Sequence, residues 1–268
     1  DYYAGLTSTA RGETVGLSGG LGLPLRAPLG VCGLIVPWNF PLVITLWQLA
    51  PALAMGNTAV IKPAEWTPLT ALRLAELAAE ILPEGVIQVV TGTGAEAGAA
   101  LVSHPLVRKI SFTGSTTTGK AVMASAAQTM KRVSLELGGK SASVVFADSD
   151  LEKAAGSVMS VFDNTGQDCC ARSRYLVEKS IYTEFVERFV ENSKKLIVGD
   201  PFDETTELGP LVAEAHRERV HGFVERAGVK PILGGVKPDG PGCYYPPTVF
   251  TGISADSELA QQEVFGPV

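Results

Sequence analysis

An alternation running from Val31 to Leu137 constrains this chain more than any other feature. Short, nearly all-apolar runs are separated by longer stretches with helical periodicity. Thr58-Ala-Val-Ile61 and Val86-Ile-Gln-Val-Val90 have the composition of strands buried on both faces, as in a parallel sheet covered by helices. The intervening stretches supply the crossover helices that parallel strands need. The pattern predicts strands over 33–36, 58–61, 86–90, 109–113 and 132–136. It predicts helices over 41–55, 67–82, 95–102 and 116–127, the second opened by Thr67 with Pro68 at its first position. The expected fold class is α/β, a parallel sheet with helices on both faces.

A second series begins after Gly138-Gly139, which mark the expected domain boundary. Strands are predicted over 142–146 and 173–178, and helices over 151–162, 181–197 and 214–226. Residues 1–26 fit neither series and read as the end of a helix followed by a strand-like extension. A hydrophobic content of 46% in 268 residues is enough for a sizeable core. The net charge of −6, with no basic run, argues against nucleic acid or anionic lipid as partners. Residues 27–61 carry no charge and are long enough to span a membrane. Pro28, Pro37, Asn39, Pro41, Gln48, Pro51 and Asn57 interrupt them, so they are read as a buried strand, loop and helix. No signal peptide is recognisable at Asp1. Cys32, Cys169, Cys170 and Cys243, with His104, His216 and His221, have the spacing of neither a disulfide framework nor a metal site. The expectation is a cytoplasmic protein without a metal.

Two glycine-rich turns are phosphate-loop candidates. Gly92-Thr-Gly94-Ala-Glu-Ala-Gly98 is one residue too long for the dinucleotide fingerprint. Gly114-Ser-Thr-Thr-Thr-Gly119-Lys120 nearly matches a P-loop, but Ala121 replaces the hydroxyl that ligates magnesium. A helix N-terminus after such a turn favours phosphate, with Ser115 as an added donor. Lys62 and Glu65 stand at the carboxyl end of a predicted strand, where open α/β sheets bind ligands. Either turn is also compatible with simple chain reversal, and the charged pair with a solvated loop. Cys169, in Asn164-Thr-Gly-Gln-Asp-Cys-Cys-Ala171, follows a predicted helix in a polar turn that suits a nucleophile. Most cysteines are small buried hydrophobes. At this level a cysteine hydrolase and a nucleotide triphosphatase stay open.

Taken together, Pro37-Trp-Asn-Phe-Pro41, Phe112-Thr-Gly-Ser-Thr116, Leu135-Glu-Leu-Gly-Gly-Lys140, Gly166-Gln-Asp-Cys169 and Glu263-Val-Phe-Gly-Pro267 resemble the ordered motifs of the NAD(P)-dependent aldehyde dehydrogenase superfamily. The resemblance covers essentially the whole chain. It implies a Rossmann-like cofactor domain (27–137) followed by an α/β catalytic thiol domain (138–268), both incomplete relative to the family. Residues 1–26 would be part of a bridging, oligomerisation element. It implies Cys169 as the nucleophile that forms a thiohemiacetal and then a thioester, and Asn39, with the Cys169 N–H, as the oxyanion hole. Glu136 would be the general base for hydrolysis. Trp38, Lys62, Glu65, Gly94, Gly98, Gly114, Ser115, Leu137, Glu263 and Phe265 would line the cofactor, the Gly114-Ser115 turn holding its pyrophosphate. Glu65 favours NAD, with NADP as the alternative, because a carboxylate repels a 2′-phosphate. The implied partners are an aldehyde and, for the full-length enzyme, a homodimer or homotetramer. Glu136 disfavours a CoA-acylating relative. Asp163 and Asp168 raise a cationic aldehyde as one substrate class, against ordinary loop carboxylates. The fragment by itself is expected to be poorly stable or inactive.

Overall fold

The computed structural model describes residues 1–9 and 12–268. These form two compact units, Asp1–Leu137 and Gly138–Val268. Part of the expectation for residues 1–26 falls on Ala10 and Arg11, which lie outside the described residues.

The first unit opens with α1 (Tyr2–Thr9) and a hairpin of β1 (Val15–Leu17) and β2 (Gly20–Gly22). This corrects the expected single extension. Gly19, the second central residue of the Ser18-Gly19 turn, sits at φ 87°, a left-handed conformation that glycine adopts without steric cost. The unit continues with β3 (Val31–Ile35), α2 (Pro41–Ala54), β4 (Thr58–Lys62), α3 (Leu69–Ala79) and β5 (Ile87–Val89). A π-helical turn (Gly94–Gly98), α4 (Ala99–Ser103), β6 (Val107–Gly114), α5 (Thr116–Ala127) and β7 (Arg132–Leu137) complete it.

Five strands pair in the order β5-β4-β3-β6-β7, every pair parallel. The chain runs outward from β3 to β5, then returns to place β6 on the other side of β3. That reversal creates a crevice at the carboxyl ends of β3 and β6, the ligand site of open α/β sheets. Side chains alternate across the sheet, so each face has its own core. Cys32, Leu34 and Val36 pack with Ile44, Leu49 and Ile61 on one face. Ile35 joins Val107, Ile110, Phe112, Val122 and Ala126 on the other.

Two predicted helix starts need correction. Helix α3 begins at Leu69, not Thr67, because the Thr67 hydroxyl donates to the Trp38 carbonyl at 3.3 Å instead of capping the helix. The helix expected over 95–102 is the π-helical turn followed by α4. Thr93 caps this segment, its Oγ1 accepting from the Glu96 N–H at 3.2 Å.

The second unit contains β8 (Ala142–Val145), α6 (Leu151–Gly156), α7 (Met159–Phe162) and β9 (Arg174–Val177). Helices α8 (Tyr182–Lys194), α9 (Glu214–Glu225) and the unanticipated α10 (Glu258–Gln261) follow. Strands β8 and β9 are parallel. The single helix expected over 151–162 is broken at Ser157, which leaves helical geometry at ψ 37°. Its hydroxyl lies 2.7 Å from the Ala154 carbonyl and 3.2 Å from the Tyr175 hydroxyl. Helix α8 stops short of Ile197, whose carbonyl accepts the Glu207 and Leu208 N–H groups. One core gathers Val145, Ala155, Phe162, Phe185 and Phe189. Another gathers Leu211, Val220, Phe223, Tyr245 and Val264. Among the described residues no helix is long and apolar enough to cross a membrane.

Candidate active site

In the first unit, the residues singled out from sequence gather at the carboxyl edge of the sheet. Trp38 and Asn39 follow β3, Lys62 ends β4, Gly114 ends β6, and Glu136 and Leu137 end β7. The Val36 N–H donates to the Lys62 carbonyl at 3.1 Å, tying the loops after β3 and β4 together. Trp38 and Trp66 meet edge-on, ring centroids 5.9 Å apart, forming an aromatic rim. The Lys62 side chain is buried, and its Nζ reaches Glu65 Oε2 at 3.3 Å while Glu65 stays half-exposed. The Glu65 carboxyl is held below its usual range by its own backbone N–H and by Lys62. The pair thus presents an ionised carboxylate beside a fixed ammonium.

Gln48 was not anticipated as a site residue. It is buried, and its Nε2 donates to the Ile35 carbonyl at 3.4 Å and to Thr113 Oγ1 at 3.0 Å. It therefore bridges β3 and β6 at the reversal point. Thr113 is the register partner of Glu136 on β7, so this bond reaches the strand position beside Glu136. Its signal was present: Gln48 is the one side-chain amide in the largely apolar Pro41–Ala54.

The near P-loop joins β6 to α5. Ser115 caps α5, accepting from the Thr118 N–H at 3.2 Å. Gly119 has a packing role, since a Cβ there would lie 2.6 Å from Leu137 Cδ2. Gly94 and Gly98 occupy the π-helical turn after edge strand β5, with Gly98 buried. Along β7, Val133, Leu135 and Leu137 pack on the core, which leaves Glu136 exposed.

In the second unit, Cys169 is held by an unusual turn. Asn164, Thr165 and Gly166 are all left-handed, at φ 48°, 57° and 68°. For a β-branched residue such as Thr165 this is a true outlier. Surrounding bonds hold it: the buried Thr165 donates to the Gly209 carbonyl at 2.8 Å. Buried Gln167 donates to the Asn164 carbonyl and accepts from the Val212 N–H, both at 2.9 Å. Gly166 packs directly on Gly266-Pro267, so the Glu263–Pro267 segment buttresses the cysteine turn.

That segment is clamped by α9. His216 Nε2 donates to the Phe265 carbonyl at 2.7 Å, and Arg219 donates to the carbonyls of Val264 and Glu263 at 2.6 and 2.9 Å. Sequence reading did not pick out His216 or Arg219, because backbone carbonyls leave no pattern in a sequence. Phe265 is itself left-handed, at φ 61°. The Glu263 carboxylate accepts from the Gly139 N–H at 3.3 Å and lies over Gly138, where a Cβ would collide with it. Burial pushes the Glu263 carboxyl up, against the Gly139 N–H, Arg219 and Lys140. Burial and Arg174 push Lys140 down to about 8.

Cys169 is partly buried and its thiol is pushed up to about 12, chiefly by burial, then by the Cys170 thiol and the Asp168 carboxylate. Without further activation it is a protonated thiol. Asp163 and Asp168 serve local roles, accepting from the N–H groups of Asn164 and Cys170 at 2.9 Å. Both behave as loop caps. A cavity of about 290 Å³ in this unit is lined by Lys140, Phe162, Tyr175, Phe189 and Phe250, among others, but not by Cys169.

Comparison with known proteins follows the same outline. The aldehyde dehydrogenase family profile matches residues 1–268. A mitochondrial aldehyde dehydrogenase of Leishmania tarentolae is 47% identical over all of this chain and 55% of its own length. Retinal dehydrogenase 2 of Mus musculus is 46% identical over all of this chain and 53% of its own. The NAD+ complex structure of an aldehyde dehydrogenase from Bacillus cereus is 42% identical, covers 100% of this chain and 56% of its own, and gives a TM-score of 0.97. The chain thus spans about half the length of the curated relatives it matches. By this match over its whole length, the chain belongs to the aldehyde dehydrogenase family.

Proposed function

We propose that the chain carries the thiol and the dinucleotide-binding edge of an enzyme that oxidises an aldehyde to a carboxylic acid with NAD. The observation that carries this reading is the display of Cys169 on a braced left-handed turn, backed by Gly266-Pro267. The β-branched Thr165 is held in the left-handed region within the turn that presents the thiol, and backbone strain of this kind clusters at functional sites.

The first unit fits a dinucleotide. The reversal between β3 and β6 provides the crevice, and the Gly114-Ser115 turn delivers a helix N-terminus for the pyrophosphate. Ionised Glu65 beside Lys62 suits ribose hydroxyls and disfavours a 2′-phosphate. A bound nicotinamide dinucleotide supplies the two-electron acceptor for the oxidation. The chain's own residues do the rest. Cys169 loses its thiol proton to solvent water, and its sulfur forms the bond to the carbonyl carbon. The Asn39 amide and the Cys169 N–H donate to the resulting oxyanion; one such donor is worth about 2.7–4 kcal/mol of barrier. After oxidation the acyl group rests on Cys169 as a thioester. Glu136 takes a proton from the water that releases the acid and restores the thiol. Its exposed position on edge strand β7 is open to solvent water.

Cys169→Ala provides the test. In the full-length enzyme, mixed with aldehyde and NAD, the variant should form no NADH, while NAD still quenches the tryptophan emission to which Trp38 and Trp66 contribute. NADH formation at the parent rate would refute Cys169 as the nucleophile. Loss of NAD binding in both proteins would refute the dinucleotide edge.

A further inference from the structure

Beyond the oxidation chemistry, the cysteine turn holds three metal-ligating side chains at one point. The ligand atoms of Asp168, Cys169 and Cys170 all lie within 4.8 Å of one another. The two sulfurs are 3.9 Å apart. Zn–S bonds of about 2.3 Å at a tetrahedral angle place two thiolates about 3.8 Å apart. A disulfide needs about 2.05 Å, so the thiols would have to close by nearly half their separation. The spacing suits chelation far better than oxidation. Asp168 is held in place, its Oδ1 accepting from the Cys170 N–H at 2.9 Å. Cys170 is exposed and Cys169 only partly buried, which gives a cation a path of entry. The turn beneath is fixed by Gln167 and Thr165, so little ordering is needed on binding.

We propose that Asp168, Cys169 and Cys170 form a binding site for a thiophilic divalent cation of the zinc class. On binding, two S–H bonds break and two S–metal bonds form. Two protons are released and no electrons are transferred. Asp168 supplies an oxygen ligand, and water fills the remaining position of a four-coordinate site. The cation occupies the same thiol that attacks aldehydes, so it acts as a reversible inhibitor. That consequence rests on the catalytic reading of Cys169; the binding itself does not.

The test uses the fully reduced 268-residue chain and Cd2+ as a spectroscopic probe, with Zn2+ in competition. The parent should show an ultraviolet cadmium–thiolate charge-transfer band that saturates at one equivalent, is displaced by Zn2+ and is abolished by a chelator. Cys170→Ser should weaken Cd2+ binding by tenfold or more, and Asp168→Asn by less, while Cys243→Ser leaves it unchanged. Because Cys170 is exposed, its replacement by serine does not disturb the core. Absence of the band in the parent, its persistence in Cys170→Ser, or its loss in Cys243→Ser would each overturn the site. The readout is independent of turnover, so a chain that binds Cd2+ but forms no NADH separates failure of the catalytic reading from failure of this one.

Discussion

The brace beneath Cys169 yields a sharp prediction at Gly166. Two costs arise when this residue becomes alanine. The backbone sits at φ 68°, where a Cβ costs about 1–2 kcal/mol. The added carbon would also lie 2.1 Å from the Gly266 carbonyl oxygen and 2.9 Å from Pro267 N, against an ordinary contact of 3.4 Å or more. Backbone must therefore shift by more than an ångström, and overpacking of this kind costs about 1–3 kcal/mol. Gly166→Ala should destabilise the second unit by about 2–5 kcal/mol. Gly156→Ala is the control. It lies at the end of α6, with nothing within 4 Å of a built Cβ, and should stabilise by about 0.4–1 kcal/mol. Denaturant unfolding should be followed by far-UV circular dichroism, which reports on both units, whereas Trp38, Trp47 and Trp66 all lie in the first. The midpoint should fall for Gly166→Ala and rise for Gly156→Ala, with the slope unchanged. If Gly166→Ala unfolds at the parental midpoint, the turn is not braced as described and Gly166 is not what fixes the thiol.

Other outcomes follow from charge and protonation. With its pKa pushed up to about 12, the Cys169 thiol should be alkylated by iodoacetamide about tenfold faster per pH unit from roughly pH 7 to 10, measured in a Cys170→Ser, Cys243→Ser background. A rate plateau near pH 9 would contradict this. Lys62→Met should shift fold stability by less than about 1 kcal/mol, since Glu65 is half-exposed and stays solvated. Losing a charge-assisted bond of about 1.5–3 kcal/mol should nevertheless weaken NAD binding roughly ten- to hundredfold, as titration calorimetry would show; an unchanged Kd would remove Lys62 from the site. Lys140 has a folded pKa of about 8, below its unfolded value. Between these two values the unfolded chain binds the extra proton, so stability attributable to this group rises with pH. The stability difference between the parent and Lys140→Met should therefore move in the parent's favour from pH 8 to 10. Parallel curves would show that Lys140 is solvated.

Much of the first unit was legible because parallel strands and their helices impose a local code. Apolar runs such as Thr58-Ala-Val-Ile61 can be satisfied only between two helical layers, and α2, β4, α5 and β7 lie close to where periodicity puts them. The start of α3 was misplaced for a nonlocal reason, since the Thr67 hydroxyl is spent on Trp38. The break at Ser157 has the same origin, because its hydroxyl turns to Ala154 and to Tyr175 on a different element. Short-range pattern does not encode such partners.

The candidate site divides the same way. The sequence alone pointed to the family, through ordered motifs around Asn39, Gly114, Glu136, Cys169 and Glu263. Tertiary structure alone decided what holds them. It assigned Gln48 to the junction of β3 and β6 and His216 and Arg219 to the Glu263–Pro267 segment. It also set Gly166 against the Gly266 backbone and the two sulfurs of Cys169 and Cys170 at 3.9 Å. Those contacts join residues far apart in the chain or depend on backbone angles and burial, and their energies arise only when the chain has closed around them.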